Sequence, residues 1–189
     1  MFPNPIVCMK KGVCIAVMML FGASVLVQGQ SAKQVNPVIK SSGGVFPIPE
    51  AVSLVDAQTT YKIIGDLTTN SEKPDEMSPG LERAARLYNA YSEAGVSPSR
   101  IDMVIAIHFK ATPIILSDAA YQEKFGVPNP NTATLNELAE KGVRFYICGQ
   151  SLRMRGFTET PRNPHIQVSH AALIVTTVFQ QKGYSLLPM

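Results

Sequence analysis

The stretch Ile101-Asp-Met-Val-Ile-Ala-Ile-His108 decides the architecture of this chain. From Met103 to Ile107 it is apolar without alternation, and a strand of that kind is covered on both faces of its sheet. Such sheets are built from parallel strands joined by helical crossovers, so helix and strand should alternate outward from it. Toward the N-terminus they do. Tyr61-Lys-Ile-Ile-Gly-Asp-Leu67 reads as a strand that runs into the polar loop Thr68 to Met77. Ser78 then caps a helix, with Pro79 at the first position, where its missing amide hydrogen costs nothing. Leu81, Ala84, Ala85, Tyr88 and Tyr91 recur at three- and four-residue spacing as one apolar face, and Gly95 ends the helix.

Toward the C-terminus, Ser117 and Asp118 open a short helix to Phe125, and the turn Gly126-Val-Pro-Asn-Pro-Asn131 follows. A second helix ends at Gly142, with Thr134 and Glu137 at the spacing of a capping box. Val143 to Cys148 is a third strand and Ile166 to Val168 a fourth. Ala171 to Lys182 reads as a helix capped by Ser169 and stopped by Gly183, or as a buried strand, since an apolar run of this length fits both. Right-handed crossovers over this pattern predict an α/β domain, a mainly parallel sheet between layers of helices.

Residues 1–29 have the layout of a secretory signal peptide: a basic pair, Lys10 and Lys11, an apolar stretch from Gly12 to Val27, then small and polar residues. The stretch falls short of the about 20 apolar residues of a membrane span. The expectation is cleavage near Gly29, a periplasmic or secreted product, and no membrane attachment afterwards. Residues 30–59, rich in Ser, Gly, Pro and Val, read as an extended N-terminal arm or linker. Its Val45, Phe46 and Ile48 can lie against the domain, residues 60–189, or against a neighbouring subunit. Loss of residues 1–29 removes two lysines and no acid, which lowers the net charge from +3 to +1. No cluster of Lys and Arg remains on one face, so nucleic acid is not an expected partner. Cys8 and Cys14 leave with the same segment. Cys148 then has no intramolecular partner: its thiol is free, pairs with another chain, or is buried and inert.

In an open parallel sheet, ligands bind outside the carboxyl ends of the strands. Asp66, His108 and Cys148 all end strands there. With the second and third strands adjacent, about 5 Å apart, His108 can approach Cys148 and lower the thiol pKa or accept its proton. A helix start after Gly149, or the guanidinium groups of Arg153 and Arg155, can act in the same sense. The plainer reading has equal standing: a free cysteine packs as a small hydrophobe, a lone histidine at a strand end is a hydrogen-bonded structural residue, and Asp66 is a turn acid. Cys148, His108, His165 and His170 have the ligand chemistry of a zinc or copper site, but their spacing matches no compact motif. Thr68-Thr-Asn-Ser71 lies where a phosphate loop would. It lacks a Gly-rich turn, and Glu72, Asp75 and Glu76 follow it, so no flavin or nucleotide cofactor is expected.

Several phrases in order carry a family likeness: Pro79-Gly-Leu-Glu-Arg83, Ile105-Ala-Ile-His108, Tyr121-Gln-Glu-Lys-Phe-Gly-Val127, Asn129-Pro-Asn131, the Cys-Gly-Gln of Val143 to Gln150, and Gln181-Lys-Gly-Tyr184. From Tyr61 to Leu187 the chain resembles the DsrE-like sulfur-relay family, in particular its exported single-domain branch. The resemblance implies a flavodoxin-like three-layer α/β/α fold and assembly of identical chains as a trimer or hexamer. It also implies a cysteine that carries sulfur as a persulfide, a role that falls on Cys148 with His108 as its neighbour, and a protein that donates or accepts the sulfur. A thiolate attacks sulfane sulfur and passes it on by exchange, which suits that role. Two features differ from the resembled relatives: relay proteins work inside the cell, and Phe109 and Lys110 follow His108 in place of small residues. Two rival functions remain open at this level, an oligomeric binding module with a buried cysteine and a metal-binding protein using Cys148 and His108.

Overall fold

Strands β1 (Tyr61–Leu67), β2 (Ile101–Ile107), β3 (Arg144–Cys148), β4 (Ile166–Ser169) and β5 (Ser185–Pro188) form one sheet in the computed structural model, which describes residues 33–189. Every neighbouring pair is parallel, and the order is β4-β3-β2-β1-β5. The register runs Tyr61 to Leu67 of β1 against Ile101 to Ile107 of β2. All of β2 except Asp102 is buried, as a strand covered on both faces must be.

The crossovers α1 (Pro79–Glu93), α2 (Asp118–Phe125), α3 (Thr132–Glu140) and α4 (Gly149–Met154) serve the connections that step from β1 outward to β4. Leu81, Ala84, Tyr88, Tyr121, Leu135, Leu138 and Leu152 from these helices join Ile63, Ile105, Phe145 and Ile147 in the larger core. The chain then reverses, and α5 (Ala172–Gln181) carries it from β4 back to β5 beside β1. Right-handed crossovers put a connection of opposite direction on the opposite face. Accordingly Ala172, Val175 and Phe179 of α5 close a smaller second core over Ile64, Val104, Ala106 and Cys148. The result is a three-layer α/β/α sandwich of the flavodoxin-like kind.

Helix α1 begins as its sequence dictates: Ser78 accepts from the Leu81 amide, Pro79 takes the first turn, and Gly95 past the end has φ +93°. Helix α2 starts on a Ser117 cap and stops at Gly126 in the left-handed conformation. Two local expectations are overturned. Thr134 and Glu137 do not box α3, whose N-cap is Asn131; the Thr134 hydroxyl meets those of Ser41 and Ser42, and Glu137 Oε2 accepts from the Lys40 and Ser41 amides. Long-range pairing with the arm outcompetes the local motif. Ser169 does not cap α5, since it is still in β4 and its hydroxyl donates to Ile147 O at 3.2 Å. The helical reading of Ala171 to Phe179 holds over the strand reading, and the last strand, β5, has too short an apolar run to stand out.

In the arm, Val35 pairs with Val45, and the loop between them is pinned to α1 by Asn89, whose Oδ1 accepts from Ile39 N at 2.8 Å and whose Nδ2 donates to Ile39 O and Gly43 O. Ile39 is fully buried in the larger core. Gly43 has φ +69°, and a Cβ there would lie 2.3 Å from the Arg86 backbone nitrogen, so only glycine lets the arm pass so close to α1. Phe46 and Ile48, in contrast, are exposed. The signal-peptide expectation falls on residues outside those described.

Candidate functional site at the carboxyl edge of the sheet

The chain leaves β3 for α4 on one face and leaves β4 for α5 on the other. Adjacent strands whose connections part in this way open a crevice between them, the topological switch point where open α/β sheets bind ligands. Cys148 ends β3 at that point and is the residue that precedes α4. Gly149 is required beside it: a Cβ would stand 2.8 Å from Ser169 O, so any larger residue would push β4 away. A cavity of about 240 Å³ lies here, lined by Gly149, Gln150, Arg153, Val168, Ser169 and His170. It is smaller than the roughly 300–1,000 Å³ of pockets for drug-sized ligands and admits only small molecules. None of the ion pairs among the described residues involves Arg153 or His170.

Cys148 is 6% exposed and packs against Ala106 and Ala172 in the smaller core. Burial pushes its thiol up, but the amides of Ser151, Ala172 and Gln150 and the Ser151 hydroxyl outweigh that, and the net direction is down from the ordinary cysteine value. Gln150 and Ser151 lie in the first turn of α4, and Ala172 opens α5. None closes to a formal cap of α4, so they act as oriented dipoles around the sulfur. Helix α5 has no capping side chain of its own. The sulfur thus stands at the start of two helices, an environment that favours thiolate.

The other two strand-end residues meet each other. His108 Nε2 and Asp66 Oδ1 are 2.8 Å apart, both partly exposed. By the alternation of side chains along a strand, Asp66, His108 and Cys148 follow Ile64, Ala106 and Tyr146 onto the same face. His108 is nevertheless committed to Asp66, and the groups that lower the thiol belong to α4 and α5. Arg155 stacks on the Phe109 ring, 5.8 Å from guanidinium carbon to ring centroid. Phe109 has φ +56°, the left-handed region that costs a bulky residue about 1–3 kcal/mol. No group of three or more His, Cys, Asp or Glu side chains with metal-holding geometry occurs among the described residues.

Two contributors went unread in the sequence. Ser151 stands in the first turn of α4, three residues after Cys148, and its residue type carries no capping signature there. The Ala172 amide has no local signature, because the strand order alone brings it to the thiol.

Fold and site together define an α/β protein with a nearly buried cysteine at the switch point of a parallel sheet. Residues 62–189 match the model of the DsrE/DsrF-like family, and the chain belongs to that family. Among solved structures it is similar to the ychN protein of E. coli, with 18% identity and a TM-score of 0.52 over 68% of this chain and 99% of that one. It is similar in the same way to a protein of unknown function, MTH1491, from Methanobacterium thermoautotrophicum, with 15% identity and a TM-score of 0.51 over 68% of this chain and 99% of that one. At such identities these two establish the fold. No curated protein matches the chain.

Proposed function

We propose that this protein handles sulfur in a relay, with Cys148 as the residue that takes up sulfane sulfur as a persulfide and passes it to an acceptor thiol. The Cys148 thiolate attacks the outer sulfur of the donor, the donor S–S bond breaks, and the leaving group departs with the electron pair; transfer onward repeats the exchange at the persulfide. Neither step needs an external oxidant. The single observation that carries this reading is the convergence of two helix starts on Cys148 at the switch point, which holds a nearly buried thiol below its ordinary pKa. The crevice with Arg153 and His170 suits a small sulfur donor. Intact mass after incubation with thiosulfate or polysulfide tests it: wild type should gain sulfur that reductant removes, and Cys148→Ser should gain none. A folded wild type without an adduct defeats the reading.

One observation favours the rival module with an inert cysteine, namely the 6% exposure of Cys148. Alkylation of the folded protein separates the two, since an inert thiol would react only as fast as the protein unfolds.

The proposal includes export, with cleavage near Gly29, and assembly of identical chains. Helix α5 has no charged residue and leaves Leu173, Ile174 and Val178 exposed beyond the face it buries. Large apolar side chains left exposed together on one helix suit an interface between chains, and Val168 of β4 is exposed as well. Light scattering should find an oligomer that Ile174→Glu dissociates. N-terminal sequencing of protein from its native compartment tests the cleavage.

A further inference from the structure

A second apolar surface lies across the sheet from α5, on the side that α1 covers. Between Val45 and Val55 the arm passes the C-terminal end of α1 as an extended strap. The pairing of Val45 with Val35 holds one end, and the Tyr61 hydroxyl, which accepts from the Asp56 amide at 2.7 Å, holds the other. Strap and helix border a groove of about 590 Å³, with Ala90, Glu93, Ala94 and Gly95 along its helical side. Phe46, Ile48, Val52 and Leu54 of the strap are exposed, Leu54 at 92%. Apolar side chains left this open together mark an interaction surface.

Ala90 on α1 and Ala94 at its C-cap are four residues apart, so this row of the helix carries only methyl groups. A second helix can lie close along such a row when it brings a projecting row of the same spacing, as ridges pack into grooves. The exposed side of α5 has that row: Ile174 and Val178, followed four residues on by Lys182 at the C-cap. No residue of α5 is charged, so its apolar row enters the groove without desolvating an ion. Glu93 is the charged side chain that lines the groove, and the exposed Lys182 ends the α5 row. Neither joins an ion pair among the described residues.

We propose that the groove between arm and α1 is the docking site for α5 of a second copy of this chain. Ile174 and Val178 lie along Ala90 and Ala94, Leu173 meets the strap, and Lys182 pairs with Glu93. This rests on the assembly of identical chains proposed above and names the surface that receives α5. Donor helix and receiving groove are different surfaces on opposite faces of the sheet, so the contact is head-to-tail. Each copy gives α5 to one neighbour and its groove to another. The strap precedes residues 62–189, so the contact depends on a segment outside the part that matches the family.

Light scattering over a concentration series tests this on wild type, Ile174→Glu, the double variant Val52→Asp/Leu54→Asp, and an equimolar mixture of the two variants. Thermal melts confirm folding. Each variant alone should be monomeric where wild type assembles. The mixture should form a heterodimer, because the intact groove of one variant receives the intact α5 of the other. Glu93→Lys and Lys182→Glu should each weaken assembly up to about fivefold, and the two together should restore it. If the strap variant lacks a cooperative melt, this charge exchange carries the test. A folded strap variant that assembles as wild type does, or a charge exchange without restoration, overturns the inference while the assembly reading stands. A monomeric wild type overturns both.

Discussion

The face of the sheet under α5 has polar side chains at both ends and apolar ones between, yet the two ends are built to opposite purposes. At the amino end, Arg144 donates to Asp102 at 2.6 Å and to the Tyr184 hydroxyl at 2.8 Å, and Tyr184 donates to the other Asp102 oxygen. The Arg144 guanidinium also lies over the Phe179 ring, 5.1 Å from its centroid. Charge, acid and hydroxyl answer one another there, and nothing is left over for a ligand. At the carboxyl end, Asp66 and His108 answer each other, but Cys148 is ringed by donors with no acid beside it. An excess of donors around a group that ionises is an arrangement for chemistry, whereas a closed network is an arrangement for stability.

Substitutions should break this contrast in a graded way. Cys148→Ser has the largest expected effect, complete loss of sulfur loading in a mass assay, with a stability loss of about 1–3 kcal/mol because a hydroxyl replaces a thiol in a nearly buried apolar cluster. Gly149→Ala comes next: its Cβ would meet Ser169 O at 2.8 Å, and denaturant melts should show a loss of about 1–3 kcal/mol together with an altered thiol midpoint. Asp102→Ala should cost about 1–2 kcal/mol, discounted for the partial exposure of its pair, and leave the alkylation midpoint where it was. A moved midpoint would show that the two ends are coupled and the contrast is false. The smallest effect is in pH. The folded thiol is held below its unfolded pKa, so over that interval the unfolded state binds more protons and stability rises with pH. Melts of wild type minus Cys148→Ser should therefore rise as pH passes the folded midpoint, level off above the ordinary cysteine value of about 8.5, and vanish at lower pH.

The parts legible in the sequence were those governed by neighbours along the chain. The unbroken apolar run of β2 required cover on both faces; Ser78 with Pro79, Ser117, Gly95 and Gly126 marked helix ends by backbone chemistry that acts within a turn. Cys148 could be placed at a carboxyl edge for the same reason. The expectation that His108 would stand next to the thiol was weaker, since strand adjacency sets backbones side by side without saying which way a ring turns. Asp66, one strand further on, holds it.

Arm and capping motifs show the same limit from the other side. Thr134 and Glu137 have the spacing of a local cap, but the buried Ile39 loop supplies amides and hydroxyls that compete for them across the fold. By itself, then, the sequence determined an α/β chain with a parallel sheet and one cysteine at its functional edge, because hydrophobic period and turn chemistry are properties of adjacent residues. Only the tertiary structure decided that β3 and β4 part at Cys148, that the start of α5 is buried in one cluster with it, and that Ser151 in the next turn accepts the Phe109 amide. Those relations depend on strand order, and strand order follows from how the whole core packs.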